Sequence, residues 1–223
     1  MEEQFSQLAS LIGDPVRAKV LWALLDGRAY TATELSIYAN TTPQNMSMHL
    51  HKLVKADLLT VKAQGRHRYY NYSRPDIAYV IEAMANLITP SAEVIKVSPI
   101  VQPVKFCRSC YDHLAGKVGI LLIDSFLEQN ILKRNGESFE VVQQDFFILL
   151  GIDIIVLKQQ KRSFARACLD WSERKDHLGG ALGAAILNKM LEKDWLRRTE
   201  NSRAIVVTGR GREELLKHLK IEL

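Results

Sequence analysis

Residues 31–72 read TATELSIYANTTPQNMSMHLHKLVKADLLTVKAQGRHRYYNY, and their spacing predicts two short helices, a tight turn and a basic hairpin. Thr31 followed three residues later by Glu34 is a capping box, which satisfies amide groups left free at a helix start. Asn40, Thr41 and Thr42 end that helix. Thr42 then caps the next one, with Pro43 at the first helical position, where its missing N–H is no loss. In this second helix Met46, Leu50, Leu53 and Val54 repeat as one buried stripe. The opposite face carries Gln44, Asn45, Ser47, Met48, His51 and Lys55. Gly65 marks a hairpin tip followed by Arg66, His67 and Arg68, with Tyr70 and Tyr72 alternating onto one face. This order is the outline of a winged helix-turn-helix.

Such a helix presents its N-terminal end to base edges, and a basic wing suits phosphates. The expected DNA-facing residues are therefore Thr42, Gln44, Asn45, Ser47, Met48, His51, Lys55, Arg66, His67 and Arg68. Charge agrees with this. Between Gln44 and Arg74 the basic residues are Lys52, Lys55, Lys62, Arg66, Arg68 and Arg74, against the single acid Asp57, while the whole chain carries +5. The segment expected to touch DNA thus matches the net excess of the chain, as counterion release on phosphate neutralisation requires.

Further motifs flank this core. Ile12, Gly13, Asp14, Pro15, Val16 and Arg17 lead into a helix ending at Leu24, Leu25, Asp26 and Gly27; Thr33, Glu34 and Leu35 lie in the next helix; Gly65, Arg66, Tyr69 and Tyr70 lie in the wing. Together they resemble the ArsR/SmtB family of bacterial winged-helix repressors over roughly the first 90 residues. The resemblance implies a homodimer that sits on an inverted-repeat operator and is released by an effector. Two departures stand out. Met48 occupies the middle of the recognition helix, where members often carry arginine. The helices that hold metal ligands in metal-sensing members read ELSIYAN and DIAYVIEAMANLI here, without thiol or imidazole.

After the wing, Pro75 opens a helix in which Ile77, Val80, Ile81, Met84, Leu87 and Ile88 repeat at helical spacing. This stripe, with Phe5, Leu8, Leu11 and Ile12, is the expected surface for a second subunit. We divide the chain into a DNA-binding and dimerisation domain over 1–89, a linker containing prolines over 90–105 and a C-terminal domain over 106–223.

The C-terminal domain contains a duplication. Asp112, His113, Leu114, Ala115, Gly116 and Gly119 recur as Asp176, His177, Leu178, Gly179, Gly180 and Gly183, an offset of 64 residues. The repeats, about 107–157 and 164–223, each read as helix, short hairpin and helix, the hairpins turning near Gly136 and Asn201. Glycines three apart suggest close helix-to-helix packing, and the Asp-His pairs could be ordinary helix caps. The fold class expected is mainly α with short β-hairpins: a winged helix-turn-helix followed by two winged-helix-like repeats.

All three cysteines fall in this second domain. Cys107, Cys110, His113, Cys168 and His177 place sulfur and imidazole donors near both repeat starts, the donor types that zinc or another transition metal takes. A thiol redox switch and a purely structural role remain open beside metal binding. The segment FARACLDWSER, 164–174, reads as amphipathic, with Trp171 as core or pocket wall.

The sequence has no Gly-rich phosphate loop and no Ser-His-Asp order. Its most apolar stretch, 146–157, is interrupted by Asp153 and too short to span a bilayer. The expectation is a cytoplasmic, homodimeric transcriptional regulator, not an enzyme. Its partners would be a double-stranded DNA operator, a second copy of the chain, and a small-molecule or metal effector, with no membrane. The alternatives are a C-terminal domain that only scaffolds the dimer, and an enzyme using the Cys/His cluster.

Overall fold

The structure, a computed structural model, describes residues 1–88, 102–200 and 202–223. Two compact units divide it, Met1–Ile88 and Thr89–Leu223.

In the first unit α1 (Glu2–Ile12) is followed by α2 (Pro15–Ala23), β1 (Tyr30–Thr31), α3 (Ala32–Ala39), α4 (Pro43–Lys55), β2 (Leu59–Gln64), β3 (His67–Tyr72) and α5 (Pro75–Ala85). The caps fall where the sequence places them. Asp14 accepts from the amides of Val16 and Arg17, Thr31 and Glu34 close a capping box, and Thr42 accepts from the Asn45 amide. Asn40 ends α3 in the left-handed conformation. Val20, Leu21, Leu24, Leu35, Met46, Leu50 and Leu53 form the buried centre of the unit. Val54, expected in the same stripe, is only half-buried at its edge.

The wing is a three-stranded antiparallel sheet in the order β1-β3-β2, with Gln64 opposite His67 at its tip. Its base is tied to the helices: the Tyr72 hydroxyl donates to the Leu21 carbonyl and the Asn71 amide to that of Gly27, 3.1 Å away. The outer end carries the basic residues Arg66, His67 and Arg68, all exposed.

Helix α5 is apolar on two faces. Ile77, Ala78, Ile81 and Ala85 point into the unit, whereas Val80 and Met84, with Leu87 and Ile88 just beyond the helix, are exposed. The stripe read as continuous is therefore divided between core and surface. Helix α1 buries no residue at all; its Phe5 and Leu8 are exposed. Its C-terminal end is held by the Arg17 guanidinium, which donates to the carbonyls of Ser10 and Leu11.

The second unit runs α6 (Gln102–Phe106), β4 (Arg108–Cys110), β5 (His113–Ala115), α7 (Lys117–Glu128), β6 (Leu132–Asn135), β7 (Ser138–Val141), α8 (Asp145–Leu150), α9 (Ile154–Lys158), β8 (Arg166–Leu169), β9 (Asp176–Gly179), α10 (Gly180–Glu192), β10 (Leu196–Arg198), β11 (Ile205–Val207) and α11 (Gly209–Leu219). Most of the stretch read as a linker lies outside the described residues; its end is helix α6. The hairpin turn expected near Asn201 also includes a position outside them. Each repeat does have the order helix, hairpin, helix: α7, β6-β7, α8 and α10, β10-β11, α11.

The hairpin preceding each repeat helix is exchanged. The hairpin β8-β9, which leads into α10, extends the β6-β7 sheet of the first repeat through Ser138 opposite Arg166. The hairpin β4-β5, which leads into α7, joins the second repeat, where Arg108 bridges to Ala204 and the Ile205 amide donates to the Cys107 carbonyl. One hydrophobic core, including Leu114, Val118, Phe126, Leu178, Leu182 and Met190, spans both halves. The FARACLDWSER segment contains strand β8 and the turn after it, with Ala165, Asp170 and Trp171 buried.

Candidate nucleic-acid interface and thiol-imidazole cluster

Helix α4 turns Met46, Leu50 and Leu53 inward, so that Gln44, Ser47, Met48, His51, Lys52 and Lys55 face solvent. Asn45 is half-buried, and its side-chain amide donates to the Thr41 hydroxyl 2.8 Å away. The Ser47 hydroxyl donates to the Pro43 carbonyl at 2.9 Å, which leaves its oxygen lone pairs as acceptors. His49, which the sequence does not single out, lies with Nδ1 3.4 Å from the Asp14 carboxylate at the start of α2, without a formed hydrogen bond.

In the wing Arg66, His67 and Arg68 are all exposed. Gly65 takes φ +59 at the tip, a backbone setting that side chains disfavour. Arg74, at the far end of the basic segment, is paired instead with Asp57 and Asp76, each at 3.2 Å. Charge counted along the chain therefore overstates what this segment offers to phosphate.

In the second unit the antiparallel register pairs Cys110 with His113 across β4-β5 and Cys168 with His177 across β8-β9. Helix α7 packs on β9 and α10 on β5, which brings the two hairpins together. One donor atom from each of Cys110, His113, Cys168 and His177 lies within 4.8 Å of the other three. The two Nε2 atoms are 3.0 Å apart. Cys110 and both histidines are buried, and Cys168 is partly exposed.

The repeated glycines make this approach possible. A Cβ on Gly183 would stand 3.1 Å from the His113 Cβ and collide with the Leu178 carbonyl; one on Gly119 would stand 2.8 Å from the Leu114 carbonyl and 3.7 Å from the His177 Cβ. The glycines thus admit the preceding strand and the histidine of the other repeat, not a facing helix. The Asp-His pairs are not caps either. They lie in the hairpins, and the helices begin at Gly116 and Gly179 with no side-chain cap.

Each imidazole has a carboxylate behind it. Asp112 Oδ1 lies 3.3 Å from His113 Nδ1, and Asp170 Oδ2 lies 3.5 Å from His177 Nδ1. The His177 distance is an ion-pair contact without a formed hydrogen bond, since Nδ1 is left without a donor or acceptor partner of good geometry. Asp112 is also held by Arg162. Burial disfavours ionisation of Asp112, but the Arg162 guanidinium and the His113 contact outweigh it and keep this carboxyl below its ordinary range. For Asp170 burial again acts upward. It is overcome by the Arg108 charge, the Ser172 side chain and the Gly116 amide, which hold the carboxyl far below the usual carboxylate range.

Cys107 does not join the four. It is fully buried in the hydrophobic core, and burial pushes its thiol up to about 12.

A helix-turn-helix domain family matches residues 12–62. Over its full length the chain is 43% identical to the uncharacterized HTH-type transcriptional regulator YdfF of Bacillus subtilis (strain 168), across 227 residues that cover all of both proteins. The chain belongs to the HTH-type transcriptional regulators. Solved structures similar to this regulator include the homodimeric winged helix-turn-helix DNA-binding domain of Mb0332 from Mycobacterium bovis, a possible ArsR-family transcriptional regulator, at 17% identity and a TM-score of 0.35. That match covers 37% of the regulator and 75% of that chain. Another is the cadmium metal-sensor CMTR from Mycobacterium tuberculosis, at 25% identity and a TM-score of 0.33, over 42% and 98% of the respective chains.

Among the described residues of the regulator no helix is long and apolar enough to cross a membrane. Asp170, the carboxylate behind His177, was not singled out from the sequence, because the repeat pairs Asp112 with Asp176. Asp176 instead forms an ion pair with Arg134 at 2.8 Å. The signal for Asp170 was its position two residues after Cys168 in a turn that must close a hairpin.

Proposed function

We propose that this regulator is an ArsR-like repressor that binds an inverted-repeat operator as a homodimer and releases it in response to an input in the C-terminal unit. The observation that carries the reading is the outward face of α4, with Gln44, Ser47, Met48 and His51, on the same unit as a wing tip formed by Arg66, His67 and Arg68. A helix of this kind fits the major groove, with the wing on the flanking backbone. Thr42, Asn45 and Lys55 complete the proposed contact set, Asn45 through a side chain that would exchange its Thr41 bond for a base or phosphate.

A second copy of the chain is the proposed cover for the apolar surface of α1 and α5. Helix α1 buries nothing within its own unit, and Phe5, Val80, Met84, Leu87 and Ile88 are all exposed. Two-fold pairing through these helices would place two recognition helices on two half-sites. The input is assigned to the C-terminal unit, where the cluster of two thiols and two imidazoles offers a place for a transition metal.

The test is quantitative footprinting and anisotropy on DNA from upstream of the regulator's own gene and its neighbours. A two-fold symmetric footprint is expected, together with a dimer in sedimentation that Phe5→Glu combined with Met84→Glu dissociates. Equal affinity for every duplex tested would overturn operator recognition.

A further inference from the structure

We propose that Cys110, His113, Cys168 and His177 bind one zinc ion through two thiolates and two Nε2 atoms, and that this ion clasps the two exchanged hairpins of the C-terminal unit. The assignment names the input left general above. It depends on the reading as a regulator only for that role, because ion binding itself stands on the geometry of one unit.

The setting of the imidazoles favours a cation between them. Each Nδ1 faces a carboxylate, Asp112 at 3.3 Å in a hydrogen bond and Asp170 at 3.5 Å without one, and a negative charge in that position favours the tautomer with the proton on Nδ1. Both Nε2 lone pairs then point at one another across 3.0 Å in a buried space. Moving one proton to Nε2 would relieve that contact but turn a bare Nδ1 lone pair toward a carboxylate. A positive charge between the Nε2 atoms resolves both conflicts. A proton could serve the nitrogens alone, but two sulfurs and one ring nitrogen from each histidine lie within 4.8 Å of one another, and a soft metal uses all four donors.

Geometry and charge select the ion. Zinc binds sulfur at about 2.3 Å and nitrogen at about 2.0 Å, so a tetrahedral S2N2 site has donor-to-donor edges of about 3.3–3.8 Å. From their 4.8 Å limit the donor pairs that include sulfur need to close by about 1.0–1.3 Å at most, and the two Nε2 atoms, 3.0 Å apart, need to open by about 0.3 Å. Zn(II) with two thiolates and two neutral imidazoles sums to zero, which suits burial, and each thiol gives its proton to solvent on ligation. A monovalent ion would leave a buried negative charge. The two carboxylates behind the ligands do not upset this balance, since Asp112 is paired with Arg162 and Asp170 with Arg108. With four protein ligands the site is closed and leaves no position for substrate, which separates it from catalytic zinc.

The ligands come as one Cys and one His from each hairpin. The ion therefore joins residues 58 positions apart in sequence, between Cys110 and Cys168, and its binding is coupled to the assembly of both repeats. Asp112 and Asp170 are positioning residues that fix the ring tautomers.

The test uses the reduced full-length chain. Zinc content after dialysis is expected to be one per chain. Cobalt(II) is expected to give the visible bands and near-ultraviolet thiolate charge-transfer absorption of a four-coordinate site. Cys110→Ser and Cys168→Ser should abolish that absorption, and Cys107→Ser should retain it. Asp112→Asn, which keeps all four ligands, should weaken zinc affinity by about 10–100-fold. Folded chain that takes up neither zinc nor cobalt, or uptake indifferent to both Cys110→Ser and Cys168→Ser, would overturn the site. Operator binding is followed on the same samples with and without zinc: lost metal uptake with intact operator binding refutes the zinc site alone, and metal uptake by a chain that binds no operator even when metal-free refutes the repressor reading alone.

Discussion

Arg108 and Asp170 form a fully buried ion pair, 3.0 Å between Nη2 and Oδ2, that joins β4 to the turn after β8. The same Asp170 oxygen accepts from the Gly116 amide at 2.7 Å, and the Arg108 guanidinium stacks 4.9 Å from the Trp171 ring. Breaking such a pair leaves an uncompensated charge in the interior. Asp170→Asn should destabilise the C-terminal unit by about 3–5 kcal/mol. Denaturant titration is expected to show an earlier transition for that unit and an unchanged one for the helix-turn-helix.

The same carboxyl makes the C-terminal unit acid-sensitive. Because folding lowers the Asp170 pKa below 3.8, its stabilisation is complete above the unfolded value and is lost as the pH falls through the folded one. Acid titration followed by tryptophan fluorescence should show this unit losing stability below about pH 4, and Asp170→Asn should flatten that part of the profile. A profile as steep in the variant as in the parent would remove Asp170 as the cause.

Arg66 and Arg68 are exposed at the wing tip. Replacing both with alanine should weaken binding to every duplex alike and reduce the slope of log affinity against log salt by about 2. Anisotropy at four salt concentrations measures this. An unchanged slope would place the wing away from phosphate.

Gln44 and His51 project from the outer face of α4. Each alanine substitution should cost about 1–3 kcal/mol on the preferred operator and less on random DNA, so that specificity relaxes. Competition between the operator and its base-substituted variants gives the comparison directly.

Gly183 has no room for a side chain between the Leu178 carbonyl and the His113 Cβ, whereas nothing lies within 4 Å of a Cβ at Gly65. Gly183→Ala should destabilise the C-terminal unit by about 1–3 kcal/mol through overpacking. Gly65→Ala, limited to the strain of its positive φ, should leave that unit untouched. Thermal melts of the two variants separate the cases.

The first unit was legible because its signals are local. Thr31 with Glu34, Thr42 with Pro43 and Asp14 with Pro15 each fix a helix start within four residues, and Gly65 fixes the wing turn. What sequence reading could not resolve there was the division of α5 between core and surface, since Ile81 and Met84 look alike until neighbours are known. In the second unit the 64-residue duplication identified two halves, but strand exchange depends on contacts between distant segments that no periodicity reports. For that reason Gly119 and Gly183 suggested helix-to-helix packing when they accommodate strands and histidines. Four of the five candidate ligands converge, and Cys107, in the bend before β4, is instead buried in the hydrophobic core. Asp170 escaped notice because the duplication drew attention to Asp176.

The exchanged hairpins make the two halves interdependent in folding. A chain cut between Lys158 and Arg166 would leave the first half with an open strand edge on β7 and the second with one on β11, each beside an unfilled share of the common core. Each fragment would lack part of the surface that covers its core, so the C-terminal unit is expected to unfold in one cooperative step.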